Sequence, residues 1–214
     1  MCKILALSDL HGYLPKVPPC DFLLLAGDYS PGAKDRDWLM GPFTDWLGGL
    51  QARHIIGVAG NHDWEFQRSP EAYKGLPWHY LENSGITLEG LTFWGSPWTP
   101  LFMNWAFMEQ EDKLKHMFGK IPKHVDVLIT HGPPAGIRDR NYHGQSCGST
   151  ALASKVLKVA PRLHVFGHIH ESFGRQYLNL GNPMGGTTFA NVSYVNGRYL
   201  PVNGPVDFSE LFEG

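Results

Sequence analysis

The chain has 214 residues, 43% of them hydrophobic and 18% charged, which fits one globular domain over residues 1–214 and excludes a disordered chain. A formal net charge of −2 provides no basic field to collect long nucleic acid, and no stretch approaches the ~18–20 apolar residues of a membrane span. Cys2, Cys20 and Cys147 are odd in number and widely spaced. With an N-terminal apolar run too short for a signal peptide, they point to reduced thiols in the cytoplasm.

Apolar runs of strand length alternate with helical patterns along the chain. Residues 4–7, 22–26, 55–59, 125–129 and 163–166 are continuous apolar runs bounded by Gly, Asp or His, as in strands buried on both faces. Residues 38–50 place Leu39, Phe43, Trp46, Leu47 and Leu50 on one helical face, with Gly41-Pro42 weakening the first turn. Residues 107–118 and 149–159 also read as helices. Residues 86–95 predict a hairpin around Glu89-Gly90, and residues 189–202 predict a second around Asn196-Gly197. The expected fold class is α/β, with βαβ units and hairpins forming two packed mixed β-sheets flanked by helices.

Ligand-type residues follow these apolar runs. The segments are Asp9-Leu10-His11, Gly27-Asp28, Gly60-Asn61-His62-Asp63, Thr130-His131-Gly132 and Gly167-His168-Ile169-His170. In extended chain, residues i and i+2 project to the same side, so Asp9 with His11, and His168 with His170, can each reach one cation. Asp28 is the natural bridge, because its two oxygens can serve two cations. Imidazole, carboxylate and amide donors suit Mn, Fe, Zn, Co or Ni. Two divalent cations held by two carboxylates and a hydroxide keep a charge of about +1, attractive to a phosphodiester. His54, His79, His116, His124 and His164 read as structural; His143, in a Gly-rich loop, stays open.

In their residues and order, the five segments resemble the calcineurin-like metallophosphoesterase superfamily. A narrower match, Gly95-Ser-Pro-Trp-Thr-Pro with Thr130-His-Gly-Pro-Pro-Ala-Gly-Ile-Arg-Asp, resembles its metallophosphoesterase-domain-containing group. The resemblance implies a two-sheet sandwich and two divalent metals, with manganese the expected activator in vitro. It implies that Asp9, His11, Asp28 and His170 hold the first metal, and that Asp28, Asn61, His131 and His168 hold the second. His62 would face the substrate, oriented by Asp63. The chain lacks the phosphate-gripping arginines of the superfamily's protein phosphatases.

The expected activity is hydrolysis of small phosphodiesters, cyclic nucleotides among them, by a metal-bridging hydroxide, with His62 protonating the leaving oxygen. The expected substrate contacts are Asn61, His62, Trp98 and Arg138. Trp64, Phe66, Trp98 and Trp105 are aromatics near the motif loops, available for stacking on a base or for packing the core. A phosphomonoesterase, using Arg138 and Arg140, and a non-catalytic metal-dependent binding protein are the rival readings.

Overall fold

A computed structural model describes residues 2–32, 36–69, 71, 75–182 and 185–212, without the side chains of residues 181 and 182. The apolar runs form strands β1 (Ile4–Leu7) and β2 (Cys20–Leu25). The predicted helix at 38–50 becomes α1 (Arg36–Trp38), a π-helical turn (Leu39–Phe43) and α2 (Thr44–Gly49). Pro42 accounts for the wide turn: it has no N–H to donate, and in a regular α-helix its ring would clash with the carbonyl of Trp38. The hydroxyl of Thr44 satisfies the Leu39 carbonyl at 2.8 Å, and Leu39, Phe43 and Leu47 keep one buried face.

Next come β3 (Ala52–Gly57), α3 (Trp64–Arg68) and β4 (His79–Tyr80). The predicted first hairpin is β5 (Ser84–Leu88) and β6 (Leu91–Ser96). Glu89 and Gly90 both take positive φ, 48° and 82°, as a two-residue turn of this hand requires. A small pair, β7 (Thr99–Pro100) and β8 (Met108–Glu109), precedes α4 (Glu111–Gly119). The helix predicted from residue 107 thus starts later, because Met108 and Glu109 pair with β7. The remaining elements are β9 (Val127–Thr130), α5 (Thr150–Val159), β10 (Leu163–Phe166), β11 (Gly174–Asn182), β12 (Gly185–Asn191) and β13 (Val206–Asp207).

The strands form two mixed sheets, ordered β13-β1-β2-β3-β4 and β11-β12-β10-β9-β6-β5. The centre of each is parallel, with antiparallel strands at edges. One core lies between the sheets, where Ile4, Ala6, Phe22 and Leu24 meet Phe93, Val127, Ile129 and Val165. Alternate residues of the same strands, Leu5, Leu7, Leu23 and Leu25, pack outward with Leu39, Phe43 and Leu47. Leu128 and Phe166 pack outward with Leu114 and Phe118 of α4 and Leu152 and Val156 of α5. Each central strand is therefore apolar on both faces, which is why its sequence is a continuous apolar run.

The second predicted hairpin is corrected. Residues 189–191 belong to β12, paired with β10 and β11, and only Val195 and Pro201 bridge across the Asn196 turn. Neither Asn196 nor Gly197 is left-handed, so the two-residue hairpin turn does not form. Instead the Asn196 side chain accepts from the backbone N–H of Arg198 and Leu200 at 2.9 and 3.1 Å, closing a wider loop. Among the described residues no helix is long and apolar enough to cross a membrane.

Candidate metal centre

The parallel strands β1, β2, β3, β9 and β10 end at one edge of the sandwich, and the loops just beyond them carry Asp9, Asp28, Asn61, His131 and His168. Carboxyl ends of parallel strands are where such folds place their sites. The loops are zipped together by backbone bonds: Asp9 N–H to Gly27 O at 2.9 Å, His11 N–H to Asp28 O at 3.0 Å and Gly167 N–H to His131 O at 2.9 Å. Asp9, His11, Asp28 and His168 hold left-handed backbone, with φ of 54°, 43°, 57° and 69°. Non-glycine residues adopt this only when their surroundings impose it, and such positions cluster at functional sites.

Two glycines make the approach possible. A Cβ on Gly60 would lie 2.7 Å from Cε1 of His131 and collide with Oδ1 of Asp28; one on Gly167 would collide with Asp9 Oδ2 and Ser8 Oγ.

The side chains converge. Ligand atoms of Asp9, His11 and His170 lie within 4.8 Å of one another, as do those of Asp9, Asp28 and His131, and those of His11, Asp28 and His62. Asp28 turns Oδ2 toward His11 Nε2 (3.7 Å) and Oδ1 toward His131 Nε2 (3.4 Å). Asn61 Oδ1 is 2.8 Å from His131 Nε2, and Asp9 Oδ1 is 3.3 Å from His170 Nε2. His168 packs its ring 5.0 Å from that of His131 and donates its backbone N–H to Asp9.

The donor set fits divalent cations. His131 and His170 are each held through Nδ1, by the carbonyls of Ala26 (2.8 Å) and Asn196 (3.2 Å). This leaves Nε2 of each ring facing the cluster, the orientation a metal-bound imidazole needs. The Nε2 atoms of His11 and His170 face each other at 3.3 Å.

Metal-free, the groups neutralise one another. Burial penalises charge on His131, but the Asp28 carboxylate outweighs it and raises the imidazole to about 9. Burial also opposes ionisation of Asp28 and Asp9, yet His131 and His170 hold these carboxyls below the usual range. Burial lowers His11 to about 4 and His168 to about 3, leaving neutral imidazoles.

Not every expected residue is placed as expected. His62 faces the cavity over the cluster, its ring 4.4 Å from Trp105 and 4.8 Å from His11. Asp63 makes no side-chain hydrogen bond to that ring. Its two oxygens accept four backbone N–H groups, of Asp28 (2.8 Å), Gly60 (2.7 Å), Tyr29 (2.9 Å) and Ser30 (3.0 Å). Burial and the Asp28 carboxylate push Asp63 up to about 7, against the pull of the Gly60 and Ser30 amides.

Trp98 does not line the cavity; it packs edge-on against Phe107 at 5.6 Å. Arg138 is turned away, its guanidinium bound to the carbonyls of Phe173 (3.4 Å) and Arg175 (2.6 Å). Arg140 is likewise bound to the Gly144 carbonyl at 2.7 Å.

Sequence reasoning missed Ser8 and Ser193, whose hydroxyls both hold Asp9 Oδ2 at 2.7 Å, and Tyr199, whose ring lies 4.7 Å from His11. Ser8 carried a signal, adjacency to Asp9; Ser193 and Tyr199 carried none.

Comparisons with known proteins identify the family and the fold. A family model described as calcineurin-like phosphoesterase matches residues 2–172. Metallophosphoesterase domain-containing protein 1 of Homo sapiens is 33% identical over 234 aligned positions, covering 95% of this chain and 69% of that protein. One crystal structure superposes with a TM-score of 0.61 at 18% identity, covering 88% of this chain and 89% of that one. The 5′-nucleotidase precursor of Thermus thermophilus has a TM-score of 0.50 at 14% identity, covering 89% of this chain and 48% of that one. The two structures speak for the fold alone.

Proposed function

The chain belongs to the calcineurin-like phosphoesterase family, a metal-dependent phosphoester hydrolase family, and from that premise we propose that it hydrolyses small phosphodiesters, cyclic nucleotides among them. The observation that carries this reading is the convergence of Asp9, His11, Asp28, Asn61, His131 and His170, beside His168, in a cluster of which Asp28, Asn61, His168 and His170 line one cavity, with no Lys or Arg among the described lining residues. A monoester dianion calls for cations around it, whereas a singly charged diester does not.

Two divalent metals, when bound, would supply an acidified water and Lewis acidity toward the phosphoryl oxygens. Asp9, His11, Asp28 and His170 would hold one, and Asp28, Asn61, His131 and His168 the other. No Cys is among these donors, and nitrogen and oxygen donors suit Mn, Fe, Zn, Co or Ni. His62 lines the cavity beside the cluster and would give a proton to the leaving oxygen. Asn61 and His62 line the cavity and would contact the substrate there.

The test compares bis-p-nitrophenyl phosphate with p-nitrophenyl phosphate, with and without Mn²⁺. The expected result is Mn²⁺-dependent turnover with higher catalytic efficiency on the diester. A monoester preference would overturn the diesterase reading, and no turnover with metal bound would favour a non-catalytic role.

A further inference from the structure

The cavity over the ligand cluster has a volume of about 630 Å³, and its rim differs in chemistry from its floor. Leu101, Phe102 and Met103 line it in succession, 52%, 65% and 70% exposed. Tyr142, 76% exposed, and Tyr199, 49% exposed, line it from other loops. Three consecutive large apolar side chains in water are unusual unless they serve a contact.

The loop that carries them is built, not frayed. Met103 is held at φ 59°, Leu101 N–H bonds Glu109 O at 3.0 Å, and Phe102 N–H contacts Met108 Sδ at 3.4 Å.

Two of the cavity's polar side chains, Asn141 and Ser146, are already engaged. Asn141 accepts from the N–H of His143 and Gln145, each at 3.0 Å, and donates to Gln145 at 3.1 Å. Ser146 donates to Asp139. Among the described lining residues the added charge is the carboxylate of Glu171, with no Lys or Arg to oppose it. Such a wall disfavours a second anionic group and offers apolar area instead.

We propose that this rim is the subsite for an uncharged apolar ester arm of the substrate, so that phosphodiesters carrying an alkyl or aryl arm are preferred over those whose arm is small or charged. The inference rests on the phosphodiesterase reading above. The chemical step is unchanged: water adds to phosphorus, one P–O bond breaks, the departing alcohol or phenol takes the proton, and the arm stays on the monoester product. The arm's contacts exist before and during the reaction, so they act through KM more than kcat.

The metal-loaded full chain should be assayed on p-nitrophenyl phosphodiesters whose second arm is methyl, butyl, hexyl, phenyl or carboxypentyl. The leaving group is constant across the series. From methyl to hexyl, kcat/KM should rise by about two- to fourfold per methylene, the upper figure corresponding to full burial. Phenyl should fall near hexyl, and carboxypentyl should fall back to methyl or below. Phe102→Ser combined with Met103→Ser, at two largely exposed positions, should cut the hexyl-to-methyl ratio by about tenfold. Equal efficiency across all arms, or a ratio that the double variant leaves unchanged, would overturn the subsite and leave the phosphodiesterase reading standing. Turnover of p-nitrophenyl phosphate with none of any diester would overturn both.

Discussion

Replacing Asp63 by alanine should unfold the protein more than it slows the chemistry. The carboxylate is fully buried and is the acceptor for the backbone N–H groups of Asp28, Tyr29, Ser30 and Gly60. Alanine orphans four donors together. A buried polar group left without its partner costs ~1–3 kcal/mol, so four together cost about 4 kcal/mol at the low end, partly offset by relief of the carboxylate's burial and its repulsion from Asp28. Typical domains have only ~5–15 kcal/mol in total. Asp63→Asn keeps one acceptor oxygen and should fall between alanine and wild type. His62→Ala removes a half-buried ring that makes no backbone bond and should change stability by only ~1 kcal/mol. Urea unfolding of metal-free protein at pH 8, followed by tryptophan fluorescence, measures all four proteins. If Asp63→Ala and His62→Ala unfold within ~1 kcal/mol of each other, the clamp is not what holds these loops, and an orienting role toward His62 regains its place.

Other perturbations test separate parts of the structure. His164 is fully buried, its Nε2 2.9 Å from the Thr130 hydroxyl and its Nδ1 without a partner, and burial lowers it to about 3. Below pH ~6.5 the unfolded chain takes up a proton that the folded chain refuses, so stability falls by ~1.4 kcal/mol per pH unit as pH drops. Between pH 7.5 and 5.0, His164→Asn should therefore lose about 2 kcal/mol less than wild type in urea melts; equal losses would contradict this. Gly167→Ala drives a Cβ into Asp9 and Ser8 and should cost ~1–3 kcal/mol while weakening metal binding, whereas unchanged calorimetric titration and melting would refute the close approach. His62→Ala should keep its metals and lose ~10²–10⁴-fold on alkyl diesters, with much smaller losses on p-nitrophenyl esters, whose leaving group needs no proton; equal losses would mean that His62 acts by positioning or charge.

The fold was legible where one physical rule acted alone. Central strands packed on both faces must be apolar throughout, and residues 4–7 and 163–166 could be read at once. Loop ligands were legible because Asp, His and Asn directly after such runs have few structural uses in common. Legibility ended where tertiary reach decides. Nothing local says that the Asp63 carboxylate turns back to the 28–30 loop and not to its neighbour, or that Arg138 spends its guanidinium on the carbonyls of Phe173 and Arg175. Strand β11 was missed because Gly174–Asn182 is an edge strand with a mixed sequence, with Arg175, Tyr177 and Asn179 exposed. Asn196-Gly197 misled because its side chain, and not a left-handed backbone, makes the turn.

The central claim is that one cluster, sharing Asp28, holds two metals and needs both for hydrolysis. The direct measurement titrates Mn²⁺ into chelator-stripped protein and records bound metal and bis-p-nitrophenyl phosphate turnover on the same samples. The expected outcome is turnover that stays low through the first equivalent and saturates as the second binds, with Asp28→Ala retaining neither metal tightly. Full turnover at one metal per chain, or tight binding of both metals by Asp28→Ala, would contradict it.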